Sequence, residues 1–366
     1  MQCKRIRVTD FRNIEQADVT FSEGVNILHG ENAQGKTNLL EAIGYAAIGK
    51  SFRTSHDEDL IRFGAEMTEI SLDFLDSQRE QNITVRMMRG KRKRIELNGV
   101  KADRLSDVVG CFRTVLFCPE NLSLIKSGPA ERRSFLDIAI SQLYPVYLKS
   151  LQRYHQILKQ RNQLIRNAES DPKTFRDTVE FWSLQLAHES AVIASYRTKY
   201  LQRISESIRD IFMEMMGERE IPTAVYEGSS HLEPLEYEDL EKSEKRYKEL
   251  LLSHHDREIG AGSTLWGIHK DDVDIMLNEK SARTFASQGQ QRSLALALKL
   301  AEGEVCAKIC GEKPVFLFDD VFSELDSSRR AYLSKKMKDR QVIMTTCELS
   351  EALGGKLIEV ENGRYR

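Results

Sequence analysis

In the first third of the chain, apolar and polar residues change places at every second position. Lys4, Ile6 and Val8 alternate with Arg5 and Arg7, which predicts a strand that turns at residues 10–14. Val19, Phe21 and the apolar run at 25–28 extend this β-rich opening. Residues 70–74 and 83–87 alternate in the same way, and Asn98-Gly99 after Ile95-Glu96-Leu97 carries the two-residue hairpin signal. Val115-Leu116-Phe117-Cys118, Val315-Phe316-Leu317-Phe318 and Val342-Ile343-Met344 are continuous apolar runs and predict buried strands.

Beyond Gly128-Pro129 the period changes to that of a helix. Leu136, Ile140, Leu143, Tyr147, Leu151, Tyr154 and Leu158 recur every three or four positions, and Pro145 divides them into two helices. A turn at 167–172 is followed by a second long helical pattern: Val179, Trp182, Leu186, Ile193, Tyr200, Ile204, Ile208, Ile211 and Met215. Together these predict an antiparallel helical pair inserted into the chain. Residues 217–233 are broken by Pro222 and Gly228, and 234–255 read as a charged helix. Alternation returns at 273–277, a Leu- and Ala-rich helix follows Ser287, and 357–363 predict a terminal hairpin. The expected organisation is an α/β head in two parts, 1–135 and 259–366, separated by a helical arm at 136–258.

One stretch carries chemistry on its own. Gly30-Glu31-Asn32-Ala33-Gln34-Gly35-Lys36-Thr37 fits the phosphate-binding loop G-x-x-x-x-G-K-[ST]. It lies between the strand at 25–28 and a helix-forming run, Asn38-Leu39-Leu40-Glu41-Ala42-Ile43. Free backbone N–H groups and the positive end of the helix dipole then meet phosphate there. Lys36 is the candidate for the β- and γ-phosphates, and Thr37 for Mg²⁺. Such a loop needs an acid at the end of a neighbouring strand. Asp319 supplies it after Phe316-Leu317-Phe318, and Asp320 follows as candidate base for the attacking water.

The net charge of −2 gives no global basic signature, so any nucleic-acid contact must come from local patches. The patch Arg89-Gly90-Lys91-Arg92-Lys93-Arg94 is either a phosphate-backbone contact or a solvated hairpin tip; Lys159, Arg161 and Arg166 form a second candidate. The loop at 50–54 is either a solvated connection or part of the nucleotide's surroundings, and Arg12 and Arg53 are candidate adenine contacts. The N-terminus has no signal-peptide hydrophobic region and no apolar run is long enough to span a bilayer. Six scattered cysteines, with no C-x-x-C pair, read as a reduced cytoplasmic protein.

Two acids after a buried strand, followed by Ser323-Glu324-Leu325-Asp326, resemble the ABC-type ATPases. Ser287-Gln288-Gly289-Gln290-Gln291-Arg292 resembles their signature motif. Most of the chain separates Lys36 from Asp319, which is the plan of an SMC-like head split by helices, here short and without a C-x-x-C hook. The loop G-E-N-A-Q-G-K-T, Pro119-Glu120-Asn121-Leu122, residues 130–137 (A-E-R-R-S-F-L-D), Leu158-Lys159-Gln160-Arg161-Asn162, His269-Lys270-Asp271-Asp272, the signature and Phe318-Asp319-Asp320-Val321 are together similar to the RecF family of bacterial recombination mediators, end to end.

That resemblance implies an ABC/SMC-type head that binds ATP and Mg²⁺ and closes as a homodimer on DNA, duplex or gap junction. Ser287, Gln288, Gly289 and Gln290 complete the partner copy's site. It also implies action with RecO and RecR in loading RecA. Glu120, a candidate metal ligand, stands where ABC ATPases carry Gln; Asp320 replaces the usual Glu, which implies slow hydrolysis. Thr345-Thr346-Cys347 occupies the switch-histidine position, and Ile268 stands where the family has Pro. The competing readings are a transporter motor subunit and a GTP switch; no N-K-x-D guanine motif is present.

Overall fold

The alternating opening becomes strand Gln2–Phe11, whose inward positions Ile6, Val8 and Phe11 are buried. It pairs antiparallel with Ile14–Thr20 on one side and Met67–Leu75 on the other. Glu80–Met88, Arg94–Leu97 and Val100–Lys101 complete a six-stranded antiparallel sheet. The basic run 89–93 is the connection between Glu80–Met88 and Arg94–Leu97. This is a computed structural model, and it describes residues 1–217, 220–347 and 354–366.

A second sheet runs in the order Arg364–Tyr365, Lys356–Glu361, Val25–His29, Val342–Thr346, Val315–Asp319, Thr114–Phe117. All neighbours from Lys356–Glu361 onward are parallel, and Arg364–Tyr365 closes the terminal hairpin antiparallel. Every residue of Val315–Asp319 and Val342–Thr346 is buried, as expected of central parallel strands covered on both faces. Helix Lys36–Ile48 contributes Leu39, Leu40, Ala42, Ile43 and Tyr45 to the core shared with both sheets. It runs further than the motif suggested and stops at Gly49, whose left-handed backbone donates its N–H to the Tyr45 carbonyl at 2.7 Å.

The chain divides into two compact units, Met1–Ser123 with Ala295–Arg366, and Leu124–Leu294. This division departs from the sequence boundaries at 135/136 and 258/259. The physical reason is a small sheet that the sequence pattern did not reveal. Pro222–Glu227 pairs antiparallel with Asp272–Leu277, which also pairs with Lys280–Ser281, so residues 259–294 group with the helices. Pro222, read as a breaker, is the first residue of its strand, a position that needs no ladder N–H.

The three long helices that open this unit, Pro129–Leu143, Pro145–Arg166 and the 45-residue Pro172–Met216, each begin with proline at the first turn. Asp171 caps the longest by accepting from the Thr174 N–H. Arg161 meets Ser183 and Tyr147 meets Arg197, so the last two run antiparallel, as the periodicity predicts.

One assignment changes here. Arg161 is 0% exposed: its guanidinium donates to both Glu258 carboxylate oxygens, Thr264 Oγ1 (2.8 Å), the Leu251 carbonyl (3.1 Å) and Ser183 Oγ (3.0 Å). It is an internal strut and cannot touch a DNA backbone, unlike Lys159, which is exposed. In His269-Lys270-Asp271-Asp272, three side chains brace the interior while Lys270 is exposed. Asp271 is fully buried and accepts from Tyr226 Oη and the Ser229 N–H, while Arg132 grips Asp272 with two nitrogens. His269 receives the Tyr154 hydroxyl at 2.5 Å, and burial lowers its pKa to about 4, so it is neutral at physiological pH.

Arg161→Ala strands the Glu258 carboxylate in the interior. The expected loss is about 3–5 kcal/mol of stability in urea unfolding. The salt dependence of DNA binding is expected to stay unchanged.

Candidate nucleotide-binding site

Strand Val25–His29 delivers the chain to the phosphate loop, and helix Lys36–Ile48 carries it away. Two glycines are required on steric grounds. A Cβ on Gly30 would overlap the Val360 carbonyl oxygen, and Gly35 takes φ 111°, a region L side chains avoid. Gly35 offers no side-chain cap, so the first N–H groups of the helix remain free to meet an anion.

Lys36 is 7% exposed, and its Nζ lies within the loop. It donates to the Gly30 carbonyl at 2.5 Å and the Glu31 carbonyl at 2.8 Å, and contacts Cys347 Sγ at 3.3 Å. Cys347 Sγ in turn donates to Asn32 Oδ1 at 2.9 Å. The residue at the switch-histidine position therefore touches the loop itself.

The acid strand lies one strand away from the loop strand, with Val342–Thr346 between them. That register brings Thr37 Oγ1 to Asp319 Oδ1 at 2.7 Å, across 282 residues of sequence. Thr345 Oγ1 donates to the same oxygen at 2.8 Å. One hydroxyl and one carboxylate form the hard-oxygen donor set of Mg²⁺ held chiefly by phosphate and water. Among the described residues no group of three or more His, Cys, Asp or Glu makes a protein-only cage. The residues present fit a phosphate-bound Mg²⁺.

Asp320 has a left-handed backbone at φ 49°, which turns the chain sharply off the strand. Its N–H donates to Thr345 Oγ1 at 2.9 Å, so Thr345 orients both acids. Burial holds the Asp320 carboxyl above the ordinary range. The Ser323 hydrogen bond opposes that shift, the Asp319 charge adds to it, and Lys36 opposes it. Asp326, the last residue of the S-E-L-D stretch, caps helix Ser327–Met337 by accepting from the Arg329 N–H at 2.9 Å. Glu120 is exposed and follows Thr114–Phe117, the strand beside Val315–Asp319. It has no hydrogen bond to Thr37 or Asp319.

The C-terminal hairpin braces the loop, which the motif alone did not disclose. The Asn362 N–H donates to Gln34 Oε1 at 2.6 Å, the Gly363 N–H to the Gln34 carbonyl at 2.9 Å, and Tyr365 Oη to the Gly35 carbonyl at 3.0 Å. A sequence signal existed: the Asn-Gly turn at 362–363 marks the hairpin that reaches Gln34. Tyr365→Phe removes one of these bonds. ATP is expected to bind about fivefold more weakly, the value of roughly 1 kcal/mol, in a titration with a fluorescent ATP analogue.

Arg12 and Arg53, the candidate adenine contacts, both reach the loop helix. Both donate to Glu41, a fully buried carboxylate on the loop helix: Arg12 Nη2 at 2.8 Å and Arg53 Nη1 at 3.2 Å. Arg53 also reaches Asn38 Oδ1 at 2.7 Å, which holds the 50–54 loop against this helix.

In the other unit, the signature forms a capping box at the start of helix Gln288–Cys310. The Gln290 N–H donates to Ser287 Oγ at 3.2 Å, and the Ser287 N–H donates to Gln290 Oε1 at 2.6 Å.

A family model described as RecF/RecN/SMC N terminal domain matches residues 2–354. A DNA replication and repair protein RecF from Ruminiclostridium cellulolyticum is 38% identical over 98% of this chain and 95% of its own. The chain belongs to the RecF family. A RecF from Staphylococcus carnosus is also 38% identical, over 94% of this chain and 93% of its own. A solved structure of "the recombination mediator protein RecF-ATPrS in RecFOR pathway" is 33% identical, with TM-score 0.93 over 99% of this chain and 97% of that one. An Smc head bound to a domain of ScpA, 17% identical with TM-score 0.58, shares the fold. No helix among the described residues is long and apolar enough to cross a membrane.

Proposed function

We propose that this RecF-family chain is an ATP-operated DNA-binding protein of replication and recombinational repair. The observation that carries the reading is the Thr37–Asp319 hydrogen bond, which joins the phosphate loop to a strand-end acid 282 residues away. Relatives of matching length are called DNA replication and repair proteins, and a matching structure is described as RecF-ATP in the RecFOR pathway.

In this reading Lys36 leaves the Gly30 and Glu31 carbonyls to meet the β- and γ-phosphates. The free N–H groups of residues 33–37 cradle them. Thr37 and Asp319 would hold Mg²⁺, which would supply charge compensation for the phosphates. Asp320 orients the attacking water and takes its proton. Ser287 and Gly289 of a second copy approach the γ-phosphate, so that ATP closes a homodimer on DNA and slow hydrolysis releases it. RecO and RecR are the proposed partners, acting with this chain in loading RecA at gaps.

The base role has a pH signature. Asp320 must be ionised to accept a proton, and its pKa lies above the ordinary aspartate value of about 3.9. Hydrolysis is therefore expected to fall as pH drops through that raised pKa. Asp320→Asn is expected to lose this limb and at least about a hundredfold in kcat, while retaining ATP binding. Steady-state rates across pH check both. DNA stimulation of the ATPase, measured on the full chain, tests the functional reading as a whole: a rate indifferent to DNA would contradict it.

A further inference from the structure

The most exposed large apolar side chain among the described residues is Phe63, at 97%. It does not sit on a loose tail. Phe63 and Gly64 are the central residues of a β-turn closed by the Ala65 N–H on the Arg62 carbonyl at 3.0 Å, with Gly64 at φ 83°. The turn is anchored on its flank, where the Arg62 N–H donates to the Asp10 carbonyl at 2.9 Å and Arg62 Nε to Asp10 Oδ1 at 2.6 Å. An aromatic ring held out on a pinned turn presents a fixed apolar surface that packs on nothing within the chain, and it becomes informative through what stands beside it.

The turn is fastened to the basic hairpin. The Arg89 N–H donates to the Glu66 carbonyl at 3.1 Å, and Arg89 Nε to the Ala65 carbonyl at 3.1 Å. The Gly90 N–H takes Glu58 Oε1 at 2.9 Å, which engages that nearby carboxylate. Met67 and Met88, paired across the strands at the base, are each more than a third exposed and widen the apolar shoulder. The hairpin's cations then separate into two kinds. Lys93 turns inward, to Tyr45 Oη (2.9 Å), the Gly49 carbonyl (2.6 Å) and Asp57 (3.0 Å), and Arg94 pairs with Glu96 at 2.8 Å. Lys93 is thus engaged by the chain itself, whereas Arg94, paired at the surface, stays exposed. Lys91 and Arg92 are exposed, with no carboxylate partner among the described residues.

An exposed aromatic face beside free cations is the chemistry of single-stranded nucleic acid: a ring for a base to stack on, charges for the phosphates on either side. A paired base keeps its faces inside the duplex stack and has none to offer. We propose that Phe63 is a stacking platform for an unpaired nucleobase, with Lys91 and Arg92 contacting the adjoining phosphates, so that this turn reads the single-stranded side of a DNA junction. This rests on the DNA-binding reading above and adds a structural preference to it.

The test compares a blunt duplex with the same duplex carrying a thymidine tail, by fluorescence anisotropy on the full chain with ATP and Mg²⁺. Phe63→Ala changes a side chain that packs on nothing, so folding is preserved. It is expected to weaken tailed-duplex binding about tenfold, the effect of losing one stacked base, and to leave the blunt duplex within about twofold. Phe63→Trp is expected to retain affinity for the tail and to show an emission component, absent from the wild type, that only tailed DNA quenches. Lys91→Ala with Arg92→Ala is expected to lower the salt slope on the tailed probe by about one to two units. Equal affinity of Phe63→Ala and wild type for the tailed probe overturns the inference, as does an equal loss on both probes. In either case duplex binding by the wild type leaves the broader reading standing, whereas failure of the wild type to bind either DNA overturns that reading itself.

Discussion

Lys36→Met is expected to abolish ATP binding while leaving the fold intact. The lysine stem is buried in the loop, and methionine replaces that stem with a side chain of similar length and apolar character. The ammonium is what is lost. Hydrogen bonds to charged groups are each worth about 1.5–3 kcal/mol, so losing the β- and γ-phosphate contacts costs about a hundredfold or more in affinity. Two backbone carbonyls, Gly30 and Glu31, also lose a donor. Titration with a fluorescent ATP analogue reads the affinity, and far-UV circular dichroism reads the fold. Binding within a few-fold of wild type would remove Lys36 from its assigned role.

The second large effect is expected at Ser287, where Ser287→Arg leaves ATP binding within about twofold but eliminates ATP-driven dimerisation and hydrolysis. Ser287 Oγ caps its own helix, and loss of such a cap costs about 1 kcal/mol, too little to unfold the chain. The arginine side chain fills the space in which a second copy's γ-phosphate would meet the helix N-terminus. Ser287→Ala separates the two effects: it removes the cap without the bulk and is expected to retain a weakened dimer. Sedimentation velocity with ATP distinguishes the three proteins. A full ATP-driven dimer of Ser287→Arg would exclude the signature from the partner's site.

What could be read from the sequence follows from how local the determining physics is. The phosphate loop is legible because glycine, lysine and threonine must stand at fixed offsets along one turn. Asp319 is legible because a buried apolar strand announces the acid at its end. Thr345 was seen only as part of a switch position, yet it bonds Asp319 and orients the Asp320 N–H. Its role depends on strand order, which periodicity does not encode. The same holds for Tyr365 and Asn362, whose contacts with the loop cross the sheet.

Arg161 shows the opposite failure. Charge alone suggested a solvent contact, but Arg161 falls on the apolar stripe of its helix, seven residues after Tyr154 and four before Ile165, all three buried. A cation on such a stripe should be read as buried and paired. Within the basic hairpin, turn geometry folds Lys93 back onto Tyr45 while Lys91 and Arg92 remain outside, a division that charge alone does not encode. Strand Pro222–Glu227 was masked by its initial proline, and with it the grouping of residues 259–294.

The central claim is that the phosphate loop and the signature are two halves of one ATP site, supplied by two copies of the chain. Sedimentation velocity of the full chain with and without ATP and Mg²⁺ tests it most directly, with Lys36→Met as the non-binding reference. The account predicts a monomer without nucleotide, a dimer with ATP and Mg²⁺, and a monomer for Lys36→Met under both conditions. A wild-type chain that binds ATP yet stays monomeric at saturating nucleotide, with and without DNA, would contradict it.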